Sequence, residues 1–365
     1  MGLKCGIVGL PNVGKSTLFN AITASQKAAS ANYPFCTIEP NVGVVEVPDK
    51  RLYDIAHIAK SKKILPATVE FVDIAGLVSG ASKGEGLGNK FLSHIGEVDA
   101  IAHVLRCFDD TNITHVHGKV DPVYDVEIVE TELILSDMQS IERRRAGLQK
   151  KARGNDKTSI ETLETLDKIY KILEEGKPAR VLYNDLHDKN IKQLNLLTTK
   201  PVFYICNVGE EHIISGNDHT RNVQQYIKDS QSSACLTVSS QIESEIALIN
   251  ESDRKEFLED LGLKKSGLYR VVEAAYQILE LQSYFTVGPK EARSWSFKKG
   301  ISAPEAAGII HSDFERGFIC AEVIKSEDYL KYGGELVSKE MGKFRIEGKN
   351  YIVQDGDIIH FRFNV

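Results

Sequence analysis

An α/β fold of the phosphate-loop class, interrupted by an antiparallel helical arm and closed by a small α+β unit, is the fold class that the sequence predicts. Three observations predict it. The segment Gly9-Leu10-Pro11-Asn12-Val13-Gly14-Lys15-Ser16-Thr17 satisfies the complete G-x-x-x-x-G-K-[ST] pattern. Apolar residues recur at heptad spacing between Ile134 and Leu173. Short runs rich in β-branched and aromatic residues crowd the chain from Tyr284 to Phe363.

The 365 residues exceed what one domain usually holds, which sets an expectation of two or three domains. Hydrophobic residues make up 42% and charged residues 26%, with 28 Gly and 10 Pro, which excludes a mainly disordered, collagen-like or low-complexity chain. A formal net charge of -6 means that any contact with nucleic acid requires a local basic patch. The six cysteines stand apart with no Cys-x-x-Cys pair, so neither a zinc site nor a disulfide framework is expected, and a reducing compartment is. Met1 to Val8 runs directly into a strand pattern, and no apolar stretch approaches eighteen residues. A cytoplasmic protein outside the membrane is the expectation.

In chain order, Leu3 to Val8 is an apolar run suited to a buried parallel strand and Ser16 to Ala24 reads as a helix, so the glycine loop joins strand to helix. This is the context in which such a loop marks a P-loop NTPase domain. Its glycines let successive backbone amides, including those of Val13 and Gly14, wrap phosphate; Lys15 spans the outer phosphates, the Ser16 hydroxyl ligates magnesium, and Asn12 and Thr17 complete the cradle. Downstream, Thr37 stands where a hydroxyl completes the magnesium shell and reports the terminal phosphate. Val69 to Gly76 reads as a strand ending in Asp-x-x-Gly, in which Asp73 holds a magnesium-bound water and the Gly76 amide senses the terminal phosphate.

Asp73-Ile74-Ala75-Gly76-Leu77-Val78, followed by Gly84-Glu85-Gly86-Leu87-Gly88-Asn89, resembles the Obg-related branch of translation-factor-class GTPases. Phe203 to Glu210 ends a strand in Asn207-Val208-Gly209-Glu210, where guanine-specific members carry Asn-Lys-x-Asp. That departure is similar to the ribosome-binding Obg-like ATPases, and the likeness runs over essentially the whole chain. It implies that residues from Leu281 to Val365 form the ubiquitin-like β-grasp domain named TGS. Guanine offers two donors to one carboxylate, whereas adenine presents an acceptor at N1 that an ionised Asp repels. With Glu210 one methylene longer and Val208 in place of the lysine, the expectation is ATP preferred and GTP tolerated. Ser239-Ser240 resembles the last loop on the base side, in altered form.

Where relatives of the Ras kind place a water-orienting glutamine, this chain has Leu77, so unstimulated turnover is expected to be slow. The resemblance implies that Asn12 accompanies potassium activation. His94 and His103 read as structural and not as bases. His115 and His117 alternate on a strand pattern, but no further ligand cluster completes a metal site.

Asp73 and Asn207 are 134 positions apart, a gap that accommodates an insertion. The chain turns helical from Glu130; Ile134, Met138, Ile141, Arg145 and Leu148 form one seam, and Leu163, Leu166, Tyr170 and Leu173 a second. Arg153-Gly154-Asn155-Asp156 reads as the turn of an antiparallel coiled-coil hairpin, ended by Gly176-Lys177-Pro178. Arg143, Arg144, Arg145, Lys150, Lys151, Arg153 and Lys157 face only Glu142 and Asp156 at its tip. They form either a solvated surface or a salt-sensitive contact with ribosomal RNA.

In the C-terminal region, Tyr284–Val287, Ser294–Phe297, Phe318–Ile324, Phe344–Ile346 and Ile358–Phe363 read as strands and Ala303–Ser312 as a helix, a small mixed sheet gripping one helix. Likeness to TGS implies contact with RNA or the ribosome, yet His311, Asp313 and Arg316 serve equally as loop stabilisers. The expected organisation is a nucleotide domain of residues 1–130 and 199–280, a helical insertion of 131–198 and a TGS domain of 281–365. The expected activity is magnesium-dependent ATP hydrolysis linked to translation, with the large ribosomal subunit as partner. The alternatives are a GTPase of the same fold and a ribosome-binding or RNA-binding adaptor with a slow nucleotide switch.

Overall fold

The computed structural model describes residues 3–29, 41–75, 87–116, 118–182, 194–229 and 234–364. Its first sheet has the order β2-β4-β1-β5-β6-β7. The strands are β1 (Lys4–Val8), β2 (Val42–Glu46), β4 (Thr68–Asp73), β5 (Ala100–Arg106), β6 (Val202–Asn207) and β7 (Cys235–Val238). All neighbours are parallel except β2 and β4, paired from Val42↔Val72 to Glu46↔Thr68. Every residue of β5 and β6 is buried, as expected of strands covered on both faces. Helices α1 (Lys15–Ala29), α2 (Lys50–Ala59) and α3 (Leu87–Glu97) follow β1, β2 and the segment after β4. Because β4 lies on one side of β1 and β5 on the other, the order reverses at β1, and the crevice beyond its carboxyl end is where such sheets hold ligands.

Two long helices follow β5, α4 (Pro122–Ala152) and α5 (Lys157–Glu174). The first helix begins at Pro122 and not at Glu130: Asp121 caps it by accepting from the Tyr124 amide at 3.3 Å, and proline is favoured in the first turn. One continuous helix therefore serves two cores. Val126, Val129 and Leu133 pack under the first sheet, while Ile134 and Ile141 meet Leu166, Ile169 and Leu173 in a separate cluster. Met138, Leu148 and Tyr170 are partly buried against that cluster, and Ile169 belongs to it without having figured in the predicted seam. Asn155 takes a left-handed φ of 60° in the turn, and Asp156 caps α5. At the root, buried Asp137 accepts from the Leu197 amide at 2.9 Å and the Thr198 amide at 2.8 Å, locking α4 to the returning chain. Burial holds that carboxyl above the usual carboxylate range, and the hydrogen bonds from Thr198 and Leu197 oppose the shift.

The second sheet has the order β11-β10-β12-β8-β9-β3. Its strands β8 (Leu281–Val287), β9 (Glu291–Lys298), β10 (Phe318–Lys325), β11 (Arg345–Glu347) and β12 (Asp357–Phe363) follow the predicted order, with boundaries moved by at most three residues. The helix Ala303–Ile310 buries Ala303, Ala306 and Ala307 against Tyr284, Phe297 and Phe361. It ends two residues before the predicted Ser312, because His311 is extended at φ -163° and starts a new short helix, Ser312–Arg316. There Asp313 pairs with Arg316 and its amide bonds His311 Nδ1 at 3.1 Å, an arrangement that stabilises the loop.

The sixth strand, β3 (Lys63–Leu65), comes from the connection between β2 and β4 and pairs with β9 from Lys63↔Glu291 to Leu65↔Arg293. Leu52, Ile55 and Ala56 of α2 pack with Phe285, Ala292, Ile324, Tyr329 and Ile358. Arg51 pairs with Asp49 at 2.7 Å and with Asp355 at 2.7 Å, and the bond to Asp49 is the main cause that holds its guanidinium firmly protonated. The second sheet thus draws a strand and a helix from a stretch that sequence pattern alone places in the first.

Candidate functional site

The phosphate loop leaves the carboxyl end of β1 in backbone conformations that its residue types permit. Asn12 has φ 65° and Gly14 φ 92°, left-handed values that asparagine tolerates and glycine adopts freely. A Cβ on Gly14 would lie 2.1 Å from Asn207 Nδ2, so the loop closes against β6 only because no side chain intervenes. Lys15 opens α1, and its ammonium forms an ion pair with Asp73 at the end of β4. Ser16 and Thr17 are exposed in the first turn, while Val13 is buried. Asn12 Nδ2 donates to the Thr114 carbonyl at 3.1 Å, which ties the loop to the segment after β5.

At the other end of the crevice, Asn207 is 5% exposed and joins three segments. Its Nδ2 donates to the Val13 carbonyl at 2.9 Å, and its Oδ1 accepts from the Ser240 amide at 2.9 Å. The side-chain amide thereby fixes the phosphate loop, β6 and the start of the helix Ser240–Leu248 relative to one another. Val208 is buried and Glu210 exposed, and both line the same cleft as Asn12, Gly14 and Thr17. That cleft is about 900 Å³, large enough for a mononucleotide by the usual size of ligand pockets. Below it, Glu243 accepts from the Gly267 amide at 2.6 Å and the Leu268 amide at 3.0 Å; burial raises its pKa and these bonds resist the rise.

Of the sequence-predicted residues, Asn12, Gly14, Thr17, Asn207, Val208 and Glu210 line one cleft, the Val13 carbonyl meets it through Asn207, Lys15 pairs with Asp73 at the start of α1, and Ser16 stands next to Lys15 in the first turn. Thr37, Gly76 and Leu77 lie outside the described residues, as do Gly84, Gly86 and His117. Sequence reasoning did not single out Phe108, Asp109, Asp110 and Ile113, which line the cleft, nor Gln241, Ser244 and Glu245. The only hint was position: a segment directly following a central strand at the point of order reversal. His94 is exposed on α3, and His115 is buried with Nε2 3.2 Å from Asp125 Oδ2. His103 lies deep in β5 against Tyr204, and burial, helped by the nearby Arg180 charge, lowers its pKa to about 3. It is a neutral core residue.

Two family models match the chain. One, described as "50S ribosome-binding GTPase", covers residues 4–133, and the YchF-GTPase C-terminal model, described as "Protein of unknown function (DUF933)", covers residues 281–364. The protein called ribosome-binding ATPase YchF of Bacillus subtilis (strain 168) is 54% identical over 368 residues, spanning 100% of both chains. Its namesake in Escherichia coli O157:H7 is 51% identical, again over 100% of each. The solved structure of the Schizosaccharomyces pombe YchF GTPase superposes with a TM-score of 0.89 at 38% identity, covering 99% of this chain and 98% of that one. The chain belongs to the YchF family.

Proposed function

We propose that this protein is a magnesium-dependent nucleoside triphosphatase that prefers ATP, tolerates GTP and acts in the cytoplasm as a translation-linked switch on the ribosome. The observation that carries the reading is the crevice itself: a phosphate loop and a base-side segment without the guanine-reading Asn-Lys-x-Asp, in a chain alike end to end to proteins named ribosome-binding ATPases. Lys15 and the amides of Val13 and Gly14 stabilise charge developing on the transferred phosphoryl group, and the Gly76 amide senses its departure. The exposed Ser16 hydroxyl and the Asp73 carboxylate, brought beside Lys15, are hard oxygen donors of the kind magnesium takes. Ser16 and Thr37 would hold the ion and Asp73 would do so through a water, and an ion bound there would supply charge neutralisation for the phosphates. Potassium activation is assigned to Asn12, Asn207 positions the base end, and Val208 and Glu210 face the base.

The large subunit is the proposed partner, reached through the basic tip of the helical arm and the TGS domain of residues 281–365, with residues 1–130 and 199–280 as the nucleotide domain and 131–198 as the arm. Support comes from the exposed Arg143, Lys150, Lys151, Arg153 and Lys157 at that tip, against a chain of net charge -6. Equilibrium binding of ATP and GTP with magnesium and potassium tests the nucleotide half: tighter ATP binding is expected, and clear GTP preference puts the same-fold GTPase first. Co-sedimentation with ribosomes at low salt tests the other half. Neutralising Arg143, Arg144, Arg145, Lys150 and Lys151 together is expected to weaken it, and unchanged pelleting would acquit the arm.

A further inference from the structure

We infer that Arg106 is a positioning residue for base selection: from the buried end of β5 it holds the 108–113 wall of the cleft in place without touching the nucleotide. The inference rests on the reading of the cleft as a nucleoside triphosphate site. Arg106 is 2% exposed, and its guanidinium is spent on three carbonyls of one short segment. Nε donates to the Phe108 carbonyl at 3.1 Å, Nη1 to that of Ile113 at 2.9 Å and Nη2 to that of Asp110 at 3.1 Å. Its plane also lies against the Phe108 ring, 4.8 Å from the centroid.

The segment it grips has no regular ladder. Its own support is the Ile113 amide on the Asp110 carbonyl at 3.3 Å and the Asn112 amide on Asp110 Oδ1 at 2.8 Å. Yet Phe108, Asp109, Asp110 and Ile113 form a face of the cleft shared with Val208 and Glu210. Irregular backbone that is to keep one shape needs donors for its carbonyls, and a guanidinium is the one side chain with five donors in a rigid plane. A buried charge is costly unless so engaged, so an apolar side chain of similar length would fill the space at lower cost but take the arginine donors from the Phe108 and Ile113 carbonyls and leave the Asp110 carbonyl only the long bond from the Ile113 amide. The segment is anchored at both flanks as well: Asn217 Nδ2 donates to the Cys107 carbonyl at 2.7 Å, and the Thr114 carbonyl receives Asn12. Fixing the wall therefore sets its distance from the phosphate loop and leaves the loop's own amides untouched.

The test measures dissociation constants of ATP, GTP and inorganic tripolyphosphate, with magnesium, for the full chain and for Arg106→Met and Arg106→Lys, alongside thermal melting. In Arg106→Met, ATP affinity is expected to fall at least about tenfold and the ATP-to-GTP ratio to move toward one, as orphaned carbonyls release the wall. Tripolyphosphate, which meets only the phosphate end, is expected to bind as in the parent chain. Lysine, with one donor group on a flexible stem, is expected to recover part of the ATP affinity, and it carries the test by the same criteria if Arg106→Met does not fold. Equal losses for ATP and tripolyphosphate would mean a general structural role and overturn the inference, as would unchanged ATP binding. If the parent chain bound tripolyphosphate but neither nucleotide, the nucleotide reading would fail first and the inference with it.

Discussion

The phosphate end of the cleft is one continuous stretch, Gly9 to Thr17, between a strand and the helix that follows it, and its backbone conformation is written into its own residue types. The proposed base end is assembled from three stretches apart in the chain: the segment after β5, the end of β6, and the start of the helix Ser240–Leu248. What holds the second arrangement is a pair of buried polar side chains: Asn207, which bonds the backbone of the phosphate loop and of the helix start at Ser240, and Arg106, which gathers the carbonyls of the segment that directly follows it. A local motif survives small changes in its surroundings, whereas an arrangement of distant segments is only as good as its clamps. The two ends should therefore fail differently when cut.

The largest failure is expected at the phosphate end. On the proposed reading, Lys15→Ala removes the cation that would face the transferred phosphoryl group, and turnover should fall on the order of a thousandfold, by analogy with the loss of one charge-stabilising donor. Thermal stability should barely move, because the partner it leaves, Asp73, keeps access to water. Steady-state phosphate release checks the first and calorimetry the second; retained turnover would overturn the site.

Asn207→Ala should behave in the opposite way. It leaves the buried Val13 carbonyl and Ser240 amide without their partner, at about 1–3 kcal/mol for each orphaned group. A melting temperature lowered by several degrees should accompany weaker nucleotide binding. A variant that binds ATP poorly with unchanged melting would mean that Asn207 reads the ligand and does not clamp the fold.

The core beneath both ends adds a pH dependence that neither end supplies. His103 on β5 is neutral when folded, its pKa lowered to about 3, and takes a proton near pH 6.5 when unfolded. The unfolded state thus binds more protons between those values, so stability is full above pH 6.5 and lost as pH falls toward 3. About 2 kcal/mol should go between pH 7 and pH 5. His103→Phe should flatten that slope, read from denaturant unfolding at each pH; equal slopes in the two proteins would place the acid lability elsewhere.

How legible all this was in the sequence follows from the same contrast. The phosphate loop, the strands that flank it at Lys4–Val8, Thr68–Asp73 and Val202–Asn207, the five C-terminal strands and the interhelical turn at Asn155 could be read because each is specified by neighbours in the chain, whereas Val42–Glu46 and Ala100–Arg106 were not read as strands. Pattern placed the arm's start at Glu130, because the apolar residues before it face a different core; the cap at Asp121 was the local signal for the true start. β3 escaped because Lys63-Ile64-Leu65 is three residues long and becomes a strand only through its partner Glu291–Arg293. The 108–113 wall escaped although its arginine is close by in the chain, since nothing in Phe108-Asp109-Asp110 reveals that a buried arginine gathers its carbonyls.

The smallest expected effect tests the base end at its most exposed residue. Glu210→Asp shortens the carboxylate by one methylene toward the form that accepts from both guanine donors, while Val208 still lacks the lysine stem that would cover the base. The substitution is at the surface of the cleft and touches neither clamp, so melting should stay within about 0.5 kcal/mol of the parent. The ATP-to-GTP affinity ratio should fall by only a few fold, since one pocket change of a single methylene is worth about 1 kcal/mol. A shift of that size would mean that the wall set by Arg106 and the buried Val208 carry the rest of the selection. A full reversal to GTP would mean that one exposed carboxylate decides the base alone, and the contrast between a local end and an assembled end would lose its functional meaning.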